Sequence, residues 1–191
     1  MSSQDKSIKI IFLGDPESKK TSVIQSILQQ FGSGLPNCSF VNLNIDGQPV
    51  HLEIVDSSGQ ERYTNLSPIY KDAKICVLIY NEAIKESFEN VDKWKKDFIL
   101  NLGLQNAKDF PFLLIGNNPD GAPIVVEDSA AQEYAENNNM MFYRFSSHDD
   151  DKLRETFKAI IKKSFEGKPK ETPATNENHQ SEQNGWRCLI C

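Results

Sequence analysis

Six short apolar runs punctuate the chain, at Ile8–Leu13, Phe40–Ile45, Val50–Val55, Ile75–Tyr80, Phe112–Ile115 and Met140–Phe145. Their length suits strands, and helical patterns lie between most of them. This alternation predicts an α/β domain, a mostly parallel sheet with helices on both faces. Asp46-Gly47 separates the second and third runs and is a hairpin signal, so those two strands are expected to be antiparallel. The helices show as apolar stripes: Val23, Ile27, Leu28 and Phe31 in the first, and Phe88, Val91, Trp94 and Phe98 in one later helix. Leu153, Phe157, Ile160 and Ile161 mark the last, with Asp149, Asp150 and Asp151 at its start and Lys162 and Lys163 near its end, as the helix dipole favours. At this spacing Trp94 and the phenylalanines are read as core, not as cofactor contacts. After Phe165 the pattern stops, and 167–187 is rich in Lys, Pro, Glu, Asn and Gln with almost nothing to bury. A folded domain over 1–166 and a disordered tail over 167–191 are expected.

The 191 residues are enough for one well-buried core and too few for two comfortable domains. With 21 basic and 27 acidic residues the net charge is -6, the opposite of the footprint that nucleic-acid binding needs. No apolar run approaches a membrane span, and Met1–Ser7 is polar and lacks the hydrophobic stretch of a secretory signal, so the body is expected in the cytoplasm. Cys38 and Cys76 fall in or beside strand segments while Cys188 and Cys191 lie at the C-terminal end, which favours reduced thiols over a disulfide pair. His51, His148 and His179 share no metal-ligand spacing, so no metal is assigned to them.

The chemistry begins directly after the first strand. Gly14-Asp15-Pro16-Glu17-Ser18-Lys19-Lys20-Thr21 leads into the first helix, which is the strand, loop and helix context of a phosphate-binding loop. Such a loop holds phosphate because its backbone N–H groups and the helix N-terminus converge on the anion, a lysine neutralises the outer phosphates, and a hydroxyl ligates Mg²⁺. Gly14, Lys20 and Thr21 fill three of the four defining positions; the fourth, ordinarily glycine, is Lys19. Gly14, Ser18, Lys19, Lys20, Thr21 and Ser22 are the candidate phosphate contacts. Three further segments follow in order: Asp56-Ser57-Ser58-Gly59-Gln60-Glu61, Gly116-Asn117-Asn118-Pro119-Asp120, and Phe145-Ser146-Ser147.

Together these segments resemble the small GTPase superfamily. Arg62-Tyr63-Thr64-Asn65-Leu66, Ile69-Tyr70-Lys71-Asp72-Ala73 and Glu86-Ser87-Phe88-Glu89-Asn90-Val91 look most like its Rab branch. The resemblance covers Ile8 to about Phe165. It implies a P-loop G-domain with a six-stranded, mostly parallel sheet, one antiparallel strand and about five helices. It further implies that Thr21 ligates Mg²⁺ with Asp56 behind it, that Gly59 offers its N–H to the γ-phosphate of GTP, and that Gln60 orients the attacking water. Asp120 would accept two hydrogen bonds from guanine, Asn117 would tie the base to the loops, and Ser146 and Ser147 would supply the last base-side contacts. Adenine lacks the matching donors, so GTP and GDP are the expected ligands.

The sequence also departs from that pattern. Lys19 places a Cβ where the backbone comes closest to the phosphates. Glu17 adds negative charge to the loop, and Asn118 stands where the family has a lysine whose stem packs along the base. Only Gly32–Cys38 separate Phe31 from Ser39, and no threonine occurs between Thr21 and Thr64, so the first switch segment and its effector contacts are expected to be missing.

Cys188-Leu189-Ile190-Cys191 fits a prenylation signal and also resembles the paired-cysteine ends of Rab proteins, although the family spaces its two cysteines more closely. Three basic and three acidic residues between Lys168 and Arg187 leave the tail without a polybasic patch, so stable anchoring needs lipid on both cysteines. The resemblance implies a monomer on the cytosolic face of intracellular membranes, with effector and exchange proteins as partners. Two functions follow from these residues: a slowly hydrolysing guanine-nucleotide switch in vesicle traffic, or a pseudo-GTPase scaffold that binds nucleotide weakly or statically and recruits partners without switching.

Overall fold

The computed structural model describes residues 6–31, 40–57, 67–145 and 150–166. Six strands form one sheet: β1 (Lys6–Leu13), β2 (Phe40–Ile45), β3 (Gln48–Asp56), β4 (Ala73–Asn81), β5 (Phe112–Asn117) and β6 (Met141–Arg144). Their order is β2-β3-β1-β4-β5-β6, with β2 antiparallel to β3 and every other neighbour parallel. The expected hairpin is present. Ile45 pairs with Gln48 across Asp46 and Gly47, both at positive φ, as a tight two-residue connection requires.

The central strands are apolar along most of their length because both of their faces are covered. On one face Ile10, Phe12, Val77, Ile79 and Ile115 meet α1 (Lys20–Gln30) and α6 (Asp150–Glu166). On the other, Ile11, Leu13, Leu78, Tyr80 and Leu114 meet the short α2 (Ser67–Tyr70), α4 (Val91–Leu102) and α5 (Asp128–Asn137). β3 fully buries only alternate residues, Val50, Leu52 and Ile54, the pattern of a strand that turns one face to the core. The stripe from Phe88 to Phe98 is divided: α3 (Lys85–Glu89) stops at Asn90 and α4 begins at Val91. The break has a visible partner at the sheet, because the Ser87 hydroxyl accepts the backbone N–H of Asn81 at the end of β4 (3.0 Å).

Strand β1 lies between β3 and β4, so the chain leaves it to one side and later crosses to the other. The carboxyl ends of the strands at such a reversal are the position at which doubly wound sheets take ligands. The ends of β1, β3, β4 and β5 bring Leu13, Asp56, Asn81 and Asn117 to that edge.

Phe157 joins α6 to this frame. It stacks on Phe12 (6.4 Å between centroids, 10° between planes) and meets Phe31 edge-on (6.2 Å, 66°). Phe157→Ala is expected to lower the unfolding free energy by about 3–5 kcal/mol, measured by urea titration. A loss below about 1 kcal/mol would show that α6 is anchored elsewhere.

Candidate functional site

The loop after β1 is shaped by one close approach. Gly14 has φ 146°, and a Cβ there would lie 2.0 Å from the Ile79 carbonyl oxygen on β4. Any side chain would force the loop off the sheet. Pro16, Glu17 and Ser18 then form a single 3-10 turn, closed by the Ser18 amide on Asp15 O (3.1 Å) and the Lys19 amide on Pro16 O (3.2 Å). Proline suits the first position because its φ is preset and its missing N–H is not needed there. Lys19 follows in the left-handed region (φ 54°, ψ 46°), and α1 starts at Lys20.

Lys20 is 2% exposed, and its ammonium donates back into the loop, to Gly14 O (2.5 Å) and Asp15 O (3.3 Å). Thr21, one residue on, donates its hydroxyl to Asp56 Oδ2 at 2.6 Å. The structure therefore brings together the two residues expected at Mg²⁺. Both offer hard oxygen donors, and the hydrogen bond sets the Asp56 carboxylate behind the Thr21 hydroxyl, where it would orient that ligand toward the ion. The donor set fits that ion. Ser22 is exposed on α1, and Ser18 turns its hydroxyl inward to Asp15 O (2.7 Å).

Four side chains from other elements pin the loop. Asn117 donates to Ser18 O (2.7 Å) and Asn81 to Glu17 O (3.0 Å). The Asp15 carboxylate accepts from Asn90 Nδ2 (2.8 Å) and Trp94 Nε1 (2.7 Å) at the start of α4. Trp94 is thus more than core packing: its ring is half-buried while its N–H holds the phosphate loop. Asn81, Asn90 and Trp94 carry no sequence signal for this role, since each lies more than sixty residues from its partner.

Asn117 also begins the next loop. Its carbonyl accepts the Glu82 amide (2.9 Å), and Glu82 O in turn accepts the amides of Val125 and Val126 (2.9 Å each), which fixes both ends of the segment between. Asn118, in the position expected of a lysine, folds its amide onto Ala122 O (2.8 Å), and Asp120 is exposed in the turn. Glu17 and Lys19 are also exposed, so water screens the charge that Glu17 adds. Gly59, Gln60, Ser146, Ser147, Cys188, Cys191 and the segment Gly32–Cys38 lie outside the described residues. A separate cavity of about 360 Å³ lies between the far end of α1, β2 and α6, lined by Phe31, Leu43, Arg154 and Lys158 among others. It is roughly eleven residues of helix from Lys20, or about 16 Å, and shares none of the phosphate-loop residues.

A glycine turn packed against its neighbouring strand, a buried lysine and a Thr–Asp oxygen pair at a helix start, all at the switch point of a mixed sheet, define a P-loop nucleotide-binding domain. Residues 9–166 match the family model of the Ras family. The Ras-related protein RABG3b of Arabidopsis thaliana is 34% identical over 167 residues, covering 81% of this chain and 82% of its own. The Ras-related protein Rab-9B of Mus musculus is 32% identical over 170 residues, with 85% of each covered, and RABG3d of Arabidopsis thaliana is 29% identical over 177 residues, with 87% and 86% covered. The chain belongs to the Ras family of small GTPases, within its Rab branch.

Lys19 provides a local test of the loop. A left-handed conformation costs a residue with a Cβ about 1–2 kcal/mol, and glycine returns part of that through its freer unfolded chain. Lys19→Gly is expected to stabilise the protein by about 0.5–1 kcal/mol in urea unfolding without nucleotide. A destabilised variant would mean that the Lys19 side chain makes a compensating contact.

Proposed function

We propose that this Rab-branch protein binds guanine nucleotide with Mg²⁺ at the P-loop and acts as a membrane-bound regulator of vesicle traffic with slow GTP hydrolysis. The observation that carries the reading is the pinned loop itself, with Lys20 held beneath it and Thr21 set 2.6 Å from Asp56. A loop whose backbone is already held by its neighbours binds an anion at a smaller ordering cost. In this reading Lys20 neutralises the outer phosphates, Thr21 and Asp56 hold Mg²⁺, and Mg²⁺ when bound offsets phosphate charge. Asp120 reads the guanine edge, the loop of Ser146 and Ser147 closes over the base, Gly59 meets the γ-phosphate, and Gln60 orients water.

Switching is expected to be shallow. A ligand shifts a conformational equilibrium only through differential affinity for its two states. Without a threonine in Gly32–Cys38, the contact that would tell GTP from GDP falls to Gly59 alone. The same feature, with Lys19 in the glycine position, favours a second reading: a scaffold that holds one nucleotide statically and recruits partners through its surface.

One experiment separates the two. Nucleotide that co-purifies with the protein is identified, and GDP and a non-hydrolysable GTP analogue are titrated by calorimetry with and without Mg²⁺. Guanine nucleotide is expected to bind, with the two forms differing less than about tenfold. Asp120→Ala is expected to remove the preference for guanine over adenine nucleotides while the far-UV spectrum stays unchanged. No binding of any guanine nucleotide at millimolar concentration would leave the scaffold reading.

Membrane attachment is expected through Cys188 and Cys191. Among the described residues no helix is long and apolar enough to cross a membrane. Changing both cysteines to serine should move the protein from the membrane to the cytosolic fraction on cell fractionation. A double variant that still sediments with membranes would show another anchor.

A further inference from the structure

A carboxylate stands at the end of a strand that is otherwise apolar. Glu82 directly follows β4, and its side chain is 1% exposed. Burial raises its pKa above the usual carboxylate value even though Arg144 acts in the opposite direction. Arg144, at the end of β6, places Nε 3.1 Å from Glu82 Oε1 and 3.2 Å from Oε2, and its Nη1 reaches Asp128 Oδ2 in the first turn of α5 (3.3 Å). The carboxylate fits because β5 carries Gly116 beside it: a Cβ there would lie 2.7 Å from Glu82 Oε1 and 2.7 Å from the Tyr80 hydroxyl. Three strand ends and one helix start converge on this ion pair.

Its value to stability is small. Arg144 stays half-exposed, so water screens its attraction for the buried carboxylate. The backbone of the same residue, however, joins the two ends of the loop that carries Asp120, through Asn117 O on one side and the Val125 and Val126 amides on the other. From Arg144 the chain passes to Phe145, whose amide donates to Gly116 O (2.7 Å), and then into the Ser146–Ser147 segment. The ion pair thus links the strand end that anchors one loop to the strand end that launches the other.

We propose that Glu82 and Arg144 are positioning residues that hold the Asp120 loop, over residues 117–126, against the ends of β4, β5 and β6. The proposal rests on the reading that this loop faces the guanine base. In it neither residue touches the nucleotide; they set where Asp120 stands.

The test uses the full chain and two variants. Glu82→Gln keeps the shape and removes the charge, and Arg144→Gln changes a half-exposed position. Three quantities are measured: the thermal midpoint, amide hydrogen exchange over residues 117–126, and release of fluorescently labelled GDP. Both variants are expected to raise exchange over 117–126 about fivefold and to speed GDP release about five- to tenfold, with the Glu82→Gln midpoint unchanged or higher. Unchanged exchange over 117–126 would overturn the proposal. So would exchange rising across the whole sheet with a fallen midpoint, which is the mark of a merely structural pair, or a loosened loop that releases GDP no faster. Should the unaltered protein bind no guanine nucleotide, the guanine reading fails by itself, and the exchange measurement still decides whether the pair holds the loop.

Discussion

The site depends on how closely one backbone can approach another. At Gly14 the chain leaves β1 against the carbonyl of Ile79, with no room for a Cβ. From that contact the 3-10 turn, the left-handed Lys19 and the start of α1 follow in order, because each is the next backbone conformation available to a chain turned so sharply. The turn directs its carbonyls toward the ends of β4 and β5, where Asn81 and Asn117 meet them. Buried backbone oxygens require partners, so these asparagines are as much a condition of the loop as Gly14 is.

Charge in the site is managed in two ways. The Lys20 ammonium is buried against carbonyl oxygens, and the Asp15 carboxylate is satisfied by neutral N–H donors from Asn90 and Trp94. This arrangement keeps the one acidic side chain fixed within the loop occupied, with both of its oxygens bonded to α4. Glu17, the other acidic residue of the loop, is exposed and therefore screened. At the far side of the site Glu82 is buried and paired with Arg144, so the negative charges here are either tied down or left to water.

The features in which this chain departs from its family lie on a sound frame. Lys19 occupies a glycine conformation and is tolerated at a cost comparable to a single surface hydrogen bond. Asn118 replaces a long stem with a short amide that holds its own loop, through Ala122 O, so the turn keeps its shape with less to lay along a bound ring. These are changes in the contacts offered to a ligand, made without disturbing the sheet, whose two apolar faces and strand order remain those of a small G-domain.

The fold was legible in the sequence because the forces that set it are periodic or local. Six apolar runs matched six strands, Asp46-Gly47 matched the antiparallel pair, and Gly14, Lys20 and Thr21, set between a strand and a helix, pointed to a phosphate-binding loop. The meeting of Thr21 with Asp56 also followed, through the resemblance those motifs carry. What the sequence could not disclose were contacts between residues with no common period: Asp15 with Trp94, seventy-nine positions apart, Ser18 with Asn117, ninety-nine apart, and Glu82 with Arg144, sixty-two apart. The division of the Phe88–Phe98 stripe at Asn90 was hidden for the same reason, since Ser87 meets the end of β4 only in the folded chain. Local pattern determines which segments become strands, helices and loops; only the packing of the sheet decides which strand ends stand together, and hence which side chains hold the loop.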